Sequence, residues 1–273
     1  MKKVHLFLMA LPVLALVSCS RDIYVPNQVN VPLLKEKNEF KANLSLSNWQ
    51  AAYAITDNIA VMVNGQYVYR NWFYSDNSNN TDNDDLFVDR NTRGGVLEGG
   101  VGFFKPVDSK KRAVFDVYAG FGQGAFKTLD GAYNEAPEGT AATEYQLRTR
   151  FTKFFVQPSF GLAHKVVEAA FTSRFSLVKF NSQTMGPKAF ENDPDRRANF
   201  MRLGDRAVPF FEPTFTVRAG YRYIKWYGQL LFSVPLNDEQ YNNYNVNDYF
   251  QPVSVTMGVT LNFGQWVKDA GRR

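Results

Sequence analysis

The chain of 273 residues contains one cysteine and two histidines, and its charges nearly balance at 31 basic against 26 acidic residues. A single cysteine excludes a disulfide framework and any CxxC metal or redox motif. So small an excess of positive charge does not indicate nucleic-acid binding. No apolar run reaches the ~20 residues that a membrane-spanning helix needs, which excludes a polytopic helical membrane protein.

Aromatic residues are abundant, because 24 Phe and 14 Tyr contribute most of an aromatic content of 15%. Such side chains favour strands over helices. Apolar and polar residues also alternate with period two in one segment after another, which is typical of strands with one apolar face. Ten strands are predicted, at residues 39–47, 50–56, 59–69, 94–104, 112–124, 147–162, 166–180, 210–222, 226–234 and 253–263.

The first 18 residues predict a secretory signal. Lys2 and Lys3 precede an apolar stretch that ends in Leu16-Val17-Ser18-Cys19, which is the layout of a cleaved signal peptide. The order Leu, small apolar residue, Ser, Cys resembles the lipobox of bacterial lipoproteins, whose cysteine is acylated. The resemblance implies cleavage after Ser18 and lipidation of Cys19, and an ordinary signal peptide with a chance cysteine is the alternative.

The connections between the predicted strands alternate in length. Long polar connections at about 71–92, 125–145, 181–207 and 235–250 are separated by short turns, and a transmembrane barrel has this asymmetry between its two ends. We therefore predict an all-β fold, a closed antiparallel up-and-down transmembrane β-barrel of about ten strands, with eight, nine or twelve as alternatives. The predicted divisions are a signal peptide at 1–18, a lipidated leader at 19–37, the barrel at 38–264 and a C-terminal tail at 265–273.

Alternation alone does not show which face of a strand points inward. A soluble, lipocalin-like barrel would direct its apolar face to the lumen, and a membrane barrel would direct it to lipid. Aromatic residues near strand ends, such as Trp72, Tyr221 and Trp226, favour the membrane barrel because they match its interfacial girdles. The alternative is that these aromatics fill a core.

If the polar faces line the lumen, charged residues of both signs meet in a narrow interior and must pair with one another. This predicts a plugged barrel, with a narrow ion path as the alternative. The predicted luminal charge network consists of Glu98, Asp116, Glu168, Glu212, Arg174, Arg218 and Arg222.

The number of strands depends on residues 39–56. If they form a hairpin, with Ser47-Asn48 as the turn, the barrel has ten strands, and both of its termini are expected on the periplasmic side with the lipid of Cys19 in the inner leaflet. If they form one long strand, there are nine strands and the lipid lies outside. Even strand numbers are usual in bacterial single-chain barrels, which favours ten.

Three segments together resemble the small outer-membrane β-barrel lipoproteins of Gram-negative bacteria. They are Tyr24-Val25-Pro26-Asn27 with Pro32-Leu33-Leu34, the segment at 51–59, and the closing Val259-Thr260-Leu261-Asn262-Phe263. The last is similar to the aromatic-ended final strand that the barrel assembly machinery recognises, although ten further residues follow it. The resemblance implies an outer-membrane location.

No catalytic residue, metal ligand or cofactor is predicted. His164 lies in a predicted short turn without a Ser or carboxylate partner at a recognisable spacing. Because a hydrolase needs a nucleophile beside a base, an enzyme acting on membrane lipids is the least favoured hypothesis. The expected function is that of a non-enzymatic barrel lipoprotein with a structural or interaction role, a closed lumen and polar extracellular loops. A narrow channel and a lipid-tethered, lipocalin-like binding barrel are the alternatives.

The expected partners are the outer-membrane lipids, met by the acyl chains of Cys19 and by the barrel exterior. Lipopolysaccharide and envelope proteins are further candidates, and nucleic acid is not expected. Basic residues for contacts with lipopolysaccharide phosphates occur in one long loop, at Arg196, Arg197, Arg202 and Arg206.

Overall fold

The computed structural model describes residues 22–69, 91–221, 223–237, 240–241 and 244–264. The signal peptide, Cys19, Arg222 and the tail at 265–273 lie outside the described residues. Thirteen strands occur in the described residues: β1 (Phe40–Ser45), β2 (Asn48–Ala54), β3 (Ile59–Val68), β4 (Arg93–Pro106), β5 (Ala113–Leu129), β6 (Gln146–Ala163), β7 (Val167–Met185), β8 (Val208–Tyr221), β9 (Ile224–Phe232), β10 (Val234–Pro235), β11 (Gln240–Tyr241), β12 (Tyr244–Asn245) and β13 (Val253–Asn262).

Strands β1 to β9 and β13 form a closed antiparallel barrel. Each pairs with its neighbour in the chain, and β13 closes the barrel by pairing with both β9 and β1. The segment at 39–56 is a hairpin, in which the N–H of Asn48 donates to Ser45 Oγ at 3.0 Å across a turn at residues 46–47. The predicted class, a closed antiparallel barrel of about ten strands, is therefore confirmed.

The two ends of the barrel differ. The turn end carries the connections at 55–58, 107–112, 164–166 and 222–223, and the loop end carries the turn at 46–47 and the connections at 69–92, 130–145, 186–207 and 233–252. The loop at 186–207 contains the helix α1 (Pro194–Arg202), which begins where the carboxylate of Asp193 accepts a hydrogen bond from the N–H of Arg196 at 3.0 Å. This N-cap, followed by Pro194 at the first helical position, explains why the helix starts there. Within the described ranges, no helix combines the length and the apolar character needed to cross a membrane.

The apolar face of the strands points outward and the polar face points into the lumen. Val217 is 53% exposed, whereas its neighbour Thr216 is 2% exposed. The same alternation runs along the neighbouring strands. Apolar residues exposed on the outer face include Val61, Leu97, Val101, Phe121, Phe154, Val156, Phe171, Phe175, Phe215, Val255 and Met257.

Two strands extend further towards the loop end than the sequence predicts. β5 continues to Leu129 and β7 to Met185, against predicted ends at residues 124 and 180. The extension of β5 carries the inward-facing Phe126, which stacks on Phe151 of the neighbouring β6 with ring centroids 6.0 Å apart, and both side chains are buried. Near the loop end, therefore, apolar side chains also point into the lumen, and the assignment of apolar residues to the outer face fails there.

Candidate functional site

The described part of the leader, residues 22–37, passes through the inside of the barrel. At the loop end, the N–H of Ile23 donates to the carbonyl oxygen of Tyr249 at 3.0 Å. At the turn end, the N–H of Lys37 donates to Asp57 Oδ1 at 3.0 Å. Residues 22–34 are all buried between these two points. The chain therefore enters at the loop end, crosses the lumen and reaches the start of β1 at the turn end.

This path corrects one prediction. The sequence argument placed the leader at the same end of a ten-stranded barrel as the start of β1, with the lipid of Cys19 in the inner leaflet. That inference is wrong about the geometry, because the leader crosses the lumen before β1 begins. The physical reason is that a ten-stranded barrel has an interior slightly wider than side chains fill, and here an extended chain occupies that space.

The leader is not part of the sheet, so its backbone groups must find partners among the luminal side chains. The amide of Gln229 meets both backbone groups of Val29: Oε1 accepts from the N–H at 2.9 Å and Nε2 donates to the carbonyl oxygen at 2.8 Å. Five further leader carbonyls each accept one hydrogen bond from a luminal side chain. The donors and their carbonyl acceptors are Gln50 to Gln28 (3.0 Å), Gln157 to Asn30 (2.8 Å), Arg174 to Asn27 (2.5 Å), Arg218 to Val31 (2.6 Å) and Lys41 to Leu33 (3.0 Å).

Charged residues in the middle of the lumen form an upper cluster of two cations and two carboxylates, Lys153, Arg174, Glu98 and Glu212. Arg174 Nε lies 2.7 Å from Glu212 Oε2, and Lys153 Nζ lies 3.1 Å from the same oxygen and 3.3 Å from Glu98 Oε1. The phenol of Tyr24 donates to Glu212 Oε1 at 2.9 Å. Burying such charges is expensive unless they are paired and hydrogen-bonded, and the balanced set with the leader tyrosine meets that requirement.

A lower cluster lies nearer the turn end. Glu168 pairs with Arg218 at 3.1 Å, with Lys225 at 2.8 Å and with Lys41 at 3.9 Å, and Lys41 is also 3.6 Å from Glu39. Arg218 and Lys41 also donate to leader carbonyls, so the same cations neutralise the carboxylates and hold the leader. The lower cluster therefore links the barrel wall to the leader inside it.

The structure brings five of the seven predicted network residues into these two clusters: Glu98, Arg174, Glu212, Glu168 and Arg218. Asp116 is buried on the inward face of β5 but forms no ion pair with any residue in the described ranges. Arg222 lies outside the described residues.

The two clusters contain four further charged residues that were not predicted from the sequence: Glu39, Lys41, Lys153 and Lys225. Lys41 and Lys153 sit at polar positions of alternating strands, so the period-two pattern contained the signal for both. Lys225 was assigned to a short turn, and it lines the lumen because β9 already begins at Ile224.

The loops close the lumen at the loop end. Phe200 of α1 packs on Tyr249 with centroids 5.7 Å apart, and Tyr24 packs on Phe210 at 4.9 Å. The guanidinium of Arg196 stacks over Phe190 at 5.1 Å, so this residue of the predicted lipopolysaccharide-binding set takes part in packing. The loops, predicted to be polar, also supply an apolar lid above the upper cluster.

An ion pair on the surface of the lid links two of the loops. Lys188 Nζ lies 2.6 Å from Glu144 Oε2, and the hydrogen bond to this carboxylate raises the pKa of Lys188 above its usual value. The loop at 130–145 is thus joined to the loop at 186–207 through a charged contact as well as through hydrogen bonds, in which the N–H of Lys188 donates to the carbonyl oxygen of Glu144 at 3.0 Å and the N–H of Phe190 donates to Asp130 Oδ2 at 2.9 Å.

The described residues contain no group of three side chains arranged to hold a metal ion. His164 lies exposed in the turn before β7, where its Nδ1 accepts from the N–H of Val166 at 3.4 Å. Neither the protein-family models nor the curated proteins contain a match to this chain. What the arrangement does chemically is to hold an extended peptide by its backbone inside a closed barrel.

Proposed function

We propose that this protein is a non-enzymatic outer-membrane β-barrel lipoprotein with a structural or interaction role, and that its lumen is closed by its own leader. The distribution of side chains supports a membrane location. Exposed apolar residues encircle the outer face, whereas the buried amides, hydroxyls and paired charges of the strands lie at inward positions. A barrel in lipid requires this arrangement, and a lipocalin-like carrier in water has the reverse.

The path of the leader supports a more specific proposal about the side of the membrane on which the lipid lies. Thr92 Oγ1 donates to the carbonyl oxygen of Asp22 at 2.9 Å, which places Asp22 at the loop end. An extended chain spans at most ~3.6 Å per residue, so Cys19 lies within ~11 Å of Asp22. Long loops face the exterior in outer-membrane barrels. The acyl chains on Cys19 therefore enter the outer leaflet, and the protein is a surface-anchored lipoprotein.

The same geometry weighs against the other functions considered. A narrow channel needs an open path, but the leader and the two charge clusters occupy the lumen, and the loops cover its mouth. A ligand-binding barrel needs a cavity in its lumen, and the leader fills the lumen of this barrel. The chain thus acts as its own plug, and the surface presented to other envelope components is the lid.

The test is the orientation of the leader in intact cells. An epitope inserted after Arg21 should be labelled by antibody without permeabilisation, because the leader emerges at the exterior. A matched epitope inserted after Lys110, in the turn at 107–112, should be labelled only after permeabilisation. An insertion after Val31 is unsuitable, since that residue is fully buried in the lumen.

Two results would overturn the proposal. Labelling of both epitopes only after permeabilisation would show that the leader emerges on the periplasmic side. Recovery of the barrel in the soluble fraction, rather than in detergent-extracted outer membrane, would reject the membrane location itself.

A further inference from the structure

Four cations surround a recess on the outer face of the barrel at the loop end. They are Arg93 of β4, Lys127 of β5 and Arg148 and Arg150 of β6, and the recess between them has a volume of about 230 Å³. Tyr67 of β3 completes its rim. Among the residues that the structure describes, no acidic residue lines the recess.

The sheet register places three of these like charges in one row. Arg93 is directly opposite Lys127, and Lys127 is directly opposite Arg148. Like charges facing one another across a strand pair are destabilising. None of the four cations forms an ion pair with any residue that the structure describes, and Arg93 Nε is buried without a hydrogen-bond partner. The described residues therefore supply no negative charge to neutralise this row.

The recess lies at the border of the exposed apolar surface. Along β6, the outward-facing Phe154 is four residues from Arg150 and is 57% exposed. Along β4, the outward-facing Leu97 is four residues from Arg93 and is likewise exposed. Four residues of strand span ~13 Å, so the cations lie about that distance along the strands from exposed apolar side chains, on the side of the loop end.

We propose that this recess binds the phosphate groups of a lipid headgroup in the leaflet at the loop end. The inference rests on the proposed membrane location. Arginine recognises phosphate through two parallel hydrogen bonds, and lysine adds a point charge. Four cations, with no carboxylate among the described lining residues, favour a phosphorylated glycolipid over a zwitterionic phospholipid, because the ammonium group of the latter would meet the guanidinium groups.

The test uses the full-length protein in a neutral detergent. Native mass spectrometry should show preferential binding of bisphosphorylated lipid A over the same lipid after dephosphorylation. Arg148→Gln combined with Arg150→Gln should lower the apparent affinity at least tenfold. The matched control is Lys105→Gln combined with Lys110→Gln, which removes two cations at the turn end and should leave the affinity unchanged.

Each remaining outcome also decides the proposal. Equal binding of phosphorylated and dephosphorylated lipid by a barrel that folds and fractionates with the outer membrane would overturn this site while leaving the proposed function intact. Full competition by millimolar inorganic phosphate would show that the recess takes free phosphate and would overturn the lipid assignment.

A further occupant to be tested is an acidic segment of this chain. If the wild-type protein shows no phosphate preference, and Asp82→Asn, Asp84→Asn and Asp85→Asn together create one, the segment neutralises the recess and the proposal is wrong.

Discussion

The side-chain amide of Gln229 pairs with the backbone of Val29 through one accepted and one donated hydrogen bond, at 2.9 Å and 2.8 Å. This is the pattern by which a neighbouring strand would satisfy an extended chain, supplied here by a single side chain. Other luminal amides and cations each donate a single hydrogen bond to a leader carbonyl. The barrel thus recognises its occupant mainly by its backbone, which explains why the leader is held without joining the sheet.

Gln229→Leu should destabilise the folded barrel by about 1–3 kcal/mol, because it leaves two buried backbone groups of Val29 unpaired. Urea unfolding of the protein in lipid vesicles measures the change. Gln123→Leu, on the exposed outer face of β5, is the matched control and should not destabilise. Equal losses for the two variants would contradict the role assigned to Gln229.

Glu212→Gln should cost about 3–5 kcal/mol, because it leaves two buried cations facing one carboxylate. Lys153→Met in the same chain removes one of those cations and should restore a large part of the stability. Unfolding free energies of the single and double variants measure the coupling. If the two losses simply add, the upper cluster does not act as one balanced unit.

Val217→Arg and Val255→Arg should each cost ~2–4 kcal/mol, since both place a charge on the outer face at mid-strand. Val167→Arg, at the start of β7 beside the turn end, should cost only ~0–1 kcal/mol because the charge reaches the interface. Refolding into vesicles measures both effects. Spin labels at 217 and 255 that report water, with labels at 216 and 256 that report lipid, would refute the assignment of faces.

The intact protein should show no stable conductance in planar bilayers, because the leader occupies the lumen. A variant that joins Arg21 directly to Lys35 lacks the luminal segment and should show discrete channel steps through the polar interior that remains. Its slower migration after heating on gels checks that the barrel still folds. Reproducible steps from the intact protein would refute the closed lumen.

Cys19→Ala should leave an unprocessed precursor without the mass of a diacylglyceryl group, because the lipobox resemblance makes the thiol the site of acylation. Ser20→Ala, one residue later, should be processed and lipidated as in the wild type. Mass spectrometry of the two purified variants makes the comparison. A free thiol on Cys19 in mature protein would reject the lipidation.

Much of the barrel was predictable from sequence because strand alternation is a local property. Side chains at neighbouring positions of a strand point to opposite faces, so Thr216 and Val217 could be assigned to opposite sides without knowing their neighbours in space. The hairpin that makes ten strands was also favoured by local turn residues. The same rule placed Glu98, Arg174 and Glu212 together in the lumen before any contact was known.

The sequence by itself therefore determined the closed antiparallel barrel and the side of the strand on which each of these residues lies. Only the tertiary structure decided that the leader crosses the lumen, that its Asp22 end lies at the loop end, and that the inward face becomes aromatic beneath the lid. The leader lacks the period-two alternation of apolar and polar residues that predicts the strands. The partners of its backbone are also remote in the chain, since Val29 and Gln229 are separated by 200 residues. Such contacts exist only after the barrel has closed around the chain, because closure is what brings opposite walls of the lumen within hydrogen-bonding distance of it.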